Sequence, residues 1–319
     1  MTQTRQLWDA KALESAPRPK VSFHSFEQAA GRPKESMTAL MSHLHERGFC
    51  FIDRTPPGPE ASKWMLQQIG PIRETHYGGF YDFVPDLSSA DTAYTNLALD
   101  PHTDTTYFTD PAGLQSFHML SHTPPPGHKG GGKELGGKSI LVDGFMVAEK
   151  MRELHPEDFE TLRRVPIAWH ASGNRDAPII PDRRYPVIET AGDGPSAEIR
   201  RIRWNNDDRG LVPLEDAEKW YEAARKWAAM VKSPEYQYLF QLEPGRMLVF
   251  DNWRLLHGRT AFEGLRRICG AYINRDDFHA RWQLTRPFKY YGQLASCNLT
   301  QDYPTIAAQP ISFDLENVN

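Results

Sequence analysis

Short strand-like segments are scattered along the chain among few helical ones, and this pattern constrains the fold most. Apolar runs typical of strands lie at 48–53, 139–142, 165–170, 199–204, 247–250 and 268–273. Helical spacing of apolar residues is found at 34–47, 145–154 and 214–230. Because strands and helices do not alternate regularly, a parallel doubly wound sheet is disfavoured. The pattern predicts a mainly β fold, an antiparallel sandwich or barrel with flanking helices.

The length of 319 residues suits one large folded domain with a substantial core. We expect a lead-in at 1–20, a single domain at 21–290 and a C-terminal tail at 291–319. A stretch rich in Pro, Gly and Lys at 123–138 interrupts this domain and predicts a flexible surface loop. Its glycines would permit motion over a site, and the sequence leaves open whether it acts as a lid.

Charge and cysteine content narrow the kinds of partner. With 37 basic and 41 acidic residues the formal charge is -4, so no field of one sign is available for nucleic acid or a membrane surface. A small-molecule partner is favoured, and a homodimer is left open. The three cysteines, Cys50, Cys269 and Cys297, form no CxxC pair, and neither a leader peptide nor a membrane-spanning run is recognisable. These features predict a cytoplasmic location.

A metal site is predicted from three residues that are far apart in the sequence. His102 and Asp104 are two positions apart, which in an extended strand places both side chains on one face. With His257 they form a two-histidine, one-carboxylate set, which suits Fe(II) and leaves positions open for a chelating 2-oxo acid and dioxygen. A His-x-Asp pair alone is expected about once by chance in such a composition, and a structural histidine beside a surface aspartate is then the simpler interpretation.

An arginine close to the third ligand supports the metal interpretation. Arg266 follows His257 by nine positions, and its guanidinium is suited to hold the distal carboxylate of 2-oxoglutarate with paired hydrogen bonds. Arg259 and Arg267 are competitors for this role, and a solvated loop arginine is the alternative. Ser139 offers a hydroxyl to the same carboxylate, or simply begins a strand.

Four motifs in order resemble the trimethyllysine and gamma-butyrobetaine dioxygenase group of the taurine-dioxygenase-like family. They are Asp-Thr-Ala-Tyr at 91–94, His-Thr-Asp-Thr-Thr-Tyr-Phe at 102–108, Leu-Val-Asp-Gly-Phe at 141–145 and Asp-Asn-Trp-Arg-Leu-Leu-His-Gly-Arg at 251–259. The likeness extends from residue 7 to about residue 277. It implies a double-stranded β-helix (jelly roll) that binds Fe(II) and uses 2-oxoglutarate and O2 as co-substrates, with ascorbate assisting. The reaction that it implies is hydroxylation of trimethyllysine in carnitine biosynthesis.

By matching position, the resemblance assigns His102, Asp104 and His257 as iron ligands and Arg266 as the 2-oxoglutarate arginine. Ser139 stands where such enzymes often have threonine. The resemblance also implies an aromatic cage for a trimethylammonium group, which cannot donate a hydrogen bond and is attracted by ring faces. The residues matching that cage are Tyr77, Tyr81, Tyr94 and the nearby Asp91. Packing within the sheet is the alternative role for these tyrosines.

Two departures from the family pattern leave the substrate open. Tyr81 stands where relatives commonly have tryptophan, and the small N-terminal metal-binding domain common in trimethyllysine dioxygenases is not recognisable here. We therefore also consider the same chemistry on another amino acid, with hydroxylation, desaturation or cyclisation as the outcome. A non-catalytic jelly-roll binding protein is the alternative from another class.

Two further groups of polar residues are less specific. Asn205 and Asn206, in a polar segment at a strand end, are suited to orient the amino and carboxyl groups of an amino-acid substrate, or form a plain polar turn. His118 and His122 have no carboxylate spaced for a second metal site, so we interpret them as structural.

Overall fold

The computed structural model describes residues 4–27, 34–84, 95–128, 135–171, 178–194 and 196–285. Its strands are β1 (Lys20–Ser22), β2 (Phe49–Asp53), β3 (Phe80–Phe83), β4 (Leu99–His102), β5 (Leu114–Thr123), β6 (Ser139–Asp143), β7 (Ile188–Thr190), β8 (Ile199–Ile202), β9 (Tyr238–Phe240), β10 (Arg246–Asp251), β11 (Leu255–Arg259) and β12 (Leu265–Ile273). Its helices are α1 (Ala10–Glu14), α2 (His24–Glu27), α3 (Lys34–Arg47), α4 (Pro59–Ile69), α5 (Gly144–Leu154), α6 (Pro156–Arg164), α7 (Ala217–Lys232) and α8 (Arg275–Thr285), with a 3-10 turn at Leu214–Asp216 before α7.

Two sheets face each other at the centre of the molecule. The larger has the strand order β1-β2-β10-β5-β12-β3 and the smaller the order β4-β11-β6-β9, while β7 and β8 pair separately. Only the β1–β2 pairing among the described strands is parallel. The rings of Phe117 on β5 and Phe250 on β10 lie 5.5 and 5.1 Å from that of His257 on β11, so the two sheets pack face to face. This is the jelly-roll core of a double-stranded β-helix.

Helices cover the outer surfaces of this core. On α3 the residues Met37, Leu40, Met41 and Leu44 recur at helical spacing, and all four are buried in one cluster with residues of the larger sheet. The helix ends where Gly48 takes a φ of +82°, a conformation that favours glycine. Around the smaller sheet, α5, α6 and α7 form a second apolar cluster. The periodic segments of the sequence thus form the predicted helices.

The N-terminal segment is part of the same folded body. Trp8 is 2% exposed, packs in a cluster with Phe49, and donates its backbone N–H to Asp143 Oδ2 at 3.1 Å. Asp143 also caps α5 and forms a fully buried ion pair with Arg254, Nη2 to Oδ2 at 2.7 Å. Because Arg254 further donates to the backbone of Gln6, this pair joins the segment before residue 20 to the smaller sheet.

One local prediction was wrong. Residues 165–170 form no strand, because Ile167 makes only one isolated bridge to Tyr185 and Trp169 only one to Arg209, and neither bridge continues into a ladder. The flexible surface loop predicted at 123–138 stays a prediction, because it is described only at 123–128 and 135–138; Leu135 near its end is 1% exposed. Cys297 lies outside the described residues. None of the described helices has both the length and the apolar character needed to span a membrane.

Candidate active site

The two histidines and the aspartate predicted as metal ligands converge on one point. His102 at the end of β4 is the register partner of His257 on β11. Asp104 Oδ1 lies 3.3 Å from His102 Nε2 and 3.8 Å from His257 Nε2. One ligand atom of each residue lies within 4.8 Å of those of the other two. Three donors this close together, two nitrogens and one oxygen, fit one divalent ion.

Asp104 reaches this point by a different route from the one predicted. The sequence placed His102 and Asp104 on one strand, but β4 ends at His102 and Asp104 lies in a bend. Thr105, the next residue, has a φ of +56°, in the left-handed region that β-branched residues rarely adopt. The prediction of one extended strand is therefore wrong, and a turn brings the carboxylate back toward the imidazole.

The second oxygen of Asp104 is held by two donors from the larger sheet. Gln115 Nε2 and the Tyr272 hydroxyl each donate to Oδ2 at 2.6 Å. Burial would raise the pKa of Asp104, but the nearby His257 and the hydrogen bond from His102 outweigh it and hold that pKa below its ordinary value. Asp104 is therefore an anion at neutral pH, as a metal ligand must be.

The imidazoles are also suited to bind a metal. His102 Nδ1 lies 2.8 Å from the backbone oxygen of Asp100, and donation there directs Nε2 toward Asp104, where a metal ligand is needed. Burial and the neighbouring His102 lower the pKa of His257 to about 3, so His257 is neutral at physiological pH. The donor set of two imidazoles and one carboxylate fits Fe(II) with one side left open.

Arg266 is a buried cation beside these residues. It is 3% exposed, its guanidinium carbon lies 4.9 Å above the Phe262 ring, and no described carboxylate forms an ion pair with it. Its Nε is buried without a hydrogen-bond partner among the described residues. Burial and the charge of Arg259 lower its pKa to about 10, so it remains charged at neutral pH. A buried cation in this state requires an anionic ligand, and a carboxylate fits.

Arg267 and Arg259, the competitors for this role, have other partners. Arg267 is on the opposite face of β12, where its side chain is 46% exposed and pairs with Asp82 at 2.6 Å. Arg259 lines the same cavity as Arg266 but donates to the backbone oxygens of Thr95 and Leu97 at 2.5 and 3.3 Å. Ser139 faces Arg259 across the β6–β11 pairing and also lines the cavity.

Only some of the predicted substrate residues line the cavity of the candidate site. Tyr77, Tyr81 and Asn205 line the cavity that contains the metal-site residues, and the Tyr81 hydroxyl donates to Ser116 O at 2.7 Å. Asn206 does not line it; its side chain accepts from Arg209 at the edge of a neighbouring groove. Asp91 and Tyr94 lie outside the described residues.

Several lining residues were missed by the sequence analysis. They are Tyr107, Gln115, Phe117, Asp208 and Tyr272. Asp208 is 3% exposed and accepts from the Thr106 hydroxyl at 2.5 Å and from Asn205 at 3.0 Å. Period-two alternation was the available signal, since Arg266, Ile268 and Tyr272 share the cavity-facing side of β12.

Comparison with known proteins agrees with this geometry. The sequence profile described as "Taurine catabolism dioxygenase TauD, TfdA family" matches residues 13–272. The chain belongs to the TauD/TfdA family. The resemblance drawn from the four motifs is thereby confirmed at the level of this family.

Two curated relatives indicate where in the TauD/TfdA family the similarity is strong. "Trimethyllysine dioxygenase" of Neurospora crassa is 49% identical over 306 residues, which cover 88% of this chain and 63% of the relative. "Trimethyllysine dioxygenase, mitochondrial" of Homo sapiens is 36% identical over 293 residues, 86% of this chain and 62% of the relative. The chain thus spans less than two thirds of the length of either relative.

A solved structure of similar fold is that of the non-heme iron oxygenase OrfP in complex with Fe and alpha-ketoglutaric acid. The TM-score is 0.56 at 16% identity, covering 81% of this chain and 94% of that one. At this identity the likeness concerns the fold alone, and it agrees with the jelly-roll core described above.

Proposed function

We propose that this protein is an Fe(II)- and 2-oxoglutarate-dependent dioxygenase that hydroxylates trimethyllysine or a related amino acid or betaine. The observation that carries the proposal is the buried Arg266 cation, which has no carboxylate partner among the described residues and lines the same cavity as the three predicted metal ligands. A dicarboxylate that contacts both the metal and Arg266 would supply the missing anion. The similarity to trimethyllysine dioxygenases supports the same reaction class.

In this proposal the roles divide among six side chains. His102, Asp104 and His257 would hold Fe(II), which when bound supplies the oxygen activation for oxidative decarboxylation of 2-oxoglutarate and hydroxylation of a C–H bond. Arg266 would orient the distal carboxylate with paired, charge-assisted hydrogen bonds. Ser139 and Arg259 would contact the same end of the co-substrate. Ascorbate as an assisting compound belongs to the proposal as well.

The proposed substrate site is the aromatic part of the cavity. Tyr77 and Tyr81 would face a quaternary ammonium group, each contributing about 0.5 to 2 kcal/mol when the cation is desolvated. Asp91 and Tyr94 remain predicted members of this site, and Asn205 is a candidate for the amino-acid end. Because Tyr81 replaces the tryptophan common in the family, another amino acid as the natural substrate is the second candidate.

The test is a substrate panel scored by succinate release from purified protein supplied with Fe(II), ascorbate and 2-oxoglutarate. The panel contains trimethyllysine, gamma-butyrobetaine, lysine and small amino acids. We expect trimethyllysine to give the highest kcat/KM. A clear preference for another amino acid would show that this amino acid, and not trimethyllysine, is the substrate. If none of these compounds led to succinate release, the dioxygenase proposal would be contradicted.

Two neighbouring arginines provide a matched test of the co-substrate site. Arg266→Gln should raise the KM for 2-oxoglutarate about 100-fold, because it removes a buried charged donor pair. Arg267→Gln removes an arginine from the exposed face of the same strand and should leave that KM unchanged. Equal effects of the two variants would contradict the role of Arg266. His102→Ala or Asp104→Ala should abolish turnover, and full turnover in either iron-loaded variant would remove the metal assignment.

The cytoplasmic location remains a prediction from the sequence. The human relative is named mitochondrial, so the two compartments are alternatives to be separated by fractionation of cells expressing the tagged full-length protein.

A further inference from the structure

Two side chains of the larger sheet converge on a single oxygen of Asp104. Gln115 on β5 and Tyr272 on β12 are direct register partners, so their side chains leave neighbouring strands side by side. Both donate to Asp104 Oδ2 at 2.6 Å. Gln115 is 2% exposed and Tyr272 5%, so water does not compete for these bonds.

The chemistry of the three groups fixes the direction of both hydrogen bonds. An ionised carboxylate only accepts, so Gln115 must present its Nε2 to Asp104. Its Oε1 is then a buried acceptor without a partner among the described residues. A phenol O–H beside an ionised carboxylate can only donate, so Tyr272 is the donor in its bond to Asp104.

The two oxygens of Asp104 therefore have different environments. Oδ1 faces the Nε2 atoms of His102 and His257, at 3.3 and 3.8 Å, while Oδ2 faces the two donors. A carboxylate with one oxygen held in this way has only the other to offer to a metal ion. Binding through both oxygens would occupy a coordination position that a chelating co-substrate and dioxygen need.

We propose that Gln115 and Tyr272 are positioning residues that hold Asp104 as a one-oxygen ligand and keep the opposite side of the metal site open. The inference rests on the proposed function, because it takes the three-residue cluster as a metal site. It adds two residues that belong to none of the motifs, acting through Asp104 rather than on the co-substrate.

The experiment is an anaerobic titration of metal-free protein with Co(II), followed by visible absorption. Co(II) binds nitrogen and oxygen sites of this kind, and its absorption bands report coordination number and geometry. Tyr272→Phe keeps the ring and removes only the hydroxyl, and Gln115→Leu removes the amide at similar volume. Each should weaken Co(II) binding about 10- to 100-fold and change the band shape.

The control is Tyr185→Phe. The Tyr185 hydroxyl donates to the Asp182 carboxylate at 2.8 Å, a bond of the same chemistry outside the site. This variant should bind Co(II) as tightly as the unaltered protein with the same spectrum. Because Gln115 and Tyr272 act on one oxygen, the double variant should lose less affinity than the product of the two single losses.

The outcomes separate this inference from the proposed function. If the unaltered protein does not bind Co(II), or if Asp104→Ala does not weaken binding, both are overturned. If Asp104→Ala weakens binding while Tyr272→Phe and Gln115→Leu keep the original affinity and spectrum, only the positioning role is overturned. Urea unfolding of each variant confirms that the titrated protein is folded, and either single variant is sufficient for the decision.

Discussion

Asn252 holds the backbone of Asp104 with both ends of its side-chain amide. Asn252 Oδ1 accepts from the Asp104 N–H at 2.8 Å, and Nδ2 donates to the Asp104 carbonyl at 3.0 Å and to that of Ala112 at 3.0 Å. Asn252 itself is 1% exposed and follows β10. These bonds replace the strand pairing that ends at His102, so the turn bearing the carboxylate is fixed to the larger sheet.

Asn252→Ala should therefore affect both stability and metal binding. It leaves one donor and two acceptors without partners in a buried place, which should lower the free energy of unfolding by about 2 to 4 kcal/mol. Urea unfolding measures the free energy of unfolding, and Co(II) titration measures the affinity for the metal. Asn274→Ala, which removes one side-chain bond to Asp277 at 3.2 Å, serves as control and should leave Co(II) binding unchanged. Equal losses of Co(II) affinity in the two variants would contradict the special role of Asn252.

The sequence predicted those parts of the fold and site that depend on short-range patterns. α3 was predicted with its bounds because four apolar residues recur at helical spacing and become buried together. The motifs also identified three candidate metal ligands that the structure brings together. The strand predicted at 165–170 does not form, because each of its pairings with a distant segment stops after one bridge, which no local pattern encodes.

The site residues that the sequence analysis missed were missed for the same physical reason. Gln115 and Tyr272 become neighbours only through the register of β5 and β12, and they meet Asp104 only because the two sheets face each other. The turn at Asp104 likewise depends on Asn252, which is remote in sequence. Residue type and spacing predicted which groups converge on the proposed metal site, whereas long-range register decides what orients them.

Gly137→Ala should weaken 2-oxoglutarate binding by displacing Arg266, although it replaces none of the proposed binding residues. A Cβ at Gly137 would lie 2.8 Å from Arg266 Nη1, so the guanidinium must shift, and the KM for 2-oxoglutarate should rise about tenfold. Gly137 has a φ of +68°, so part of any stability loss comes from the backbone. Gly192→Ala is the matched control, with a φ of +96° and no atom within 4 Å. The same rise in KM for both variants would contradict a contact with Arg266.

His118 should make stability depend on pH in the acid range. It is fully buried, its Nε2 accepts from Gly245 N at 3.2 Å, and its Nδ1 lies 2.8 Å from the Ser62 hydroxyl, which donates to Gly58 O. Nδ1 therefore carries the proton of a neutral ring. Burial lowers its pKa from 6.5 to about 4. The unfolded chain thus takes up a proton between these two values while the folded protein does not.

Stability from His118 is therefore complete above pH 6.5 and is lost as the pH falls toward 4, by about 1 to 3 kcal/mol in all. Urea unfolding at several pH values measures the slope. His118→Gln can accept and donate in the same place without titrating, so its slope in this range should be smaller. Parallel curves for the two proteins would show that other groups cause the acid sensitivity.

Tyr81 should discriminate between methylated and unmethylated substrates. Tyr81→Leu removes the aromatic face, and the loss of about 0.5 to 2 kcal/mol should raise the KM for trimethyllysine by roughly 2- to 30-fold. Tyr81→Phe keeps the ring and loses only the hydrogen bond to Ser116 O, so it should retain most of the affinity. Both variants are compared on trimethyllysine and on lysine, whose primary ammonium group can donate hydrogen bonds. If Tyr81→Leu lowered kcat/KM for both substrates to the same extent, the ring would serve the packing of β3 on β12 and not recognition of a quaternary ammonium group.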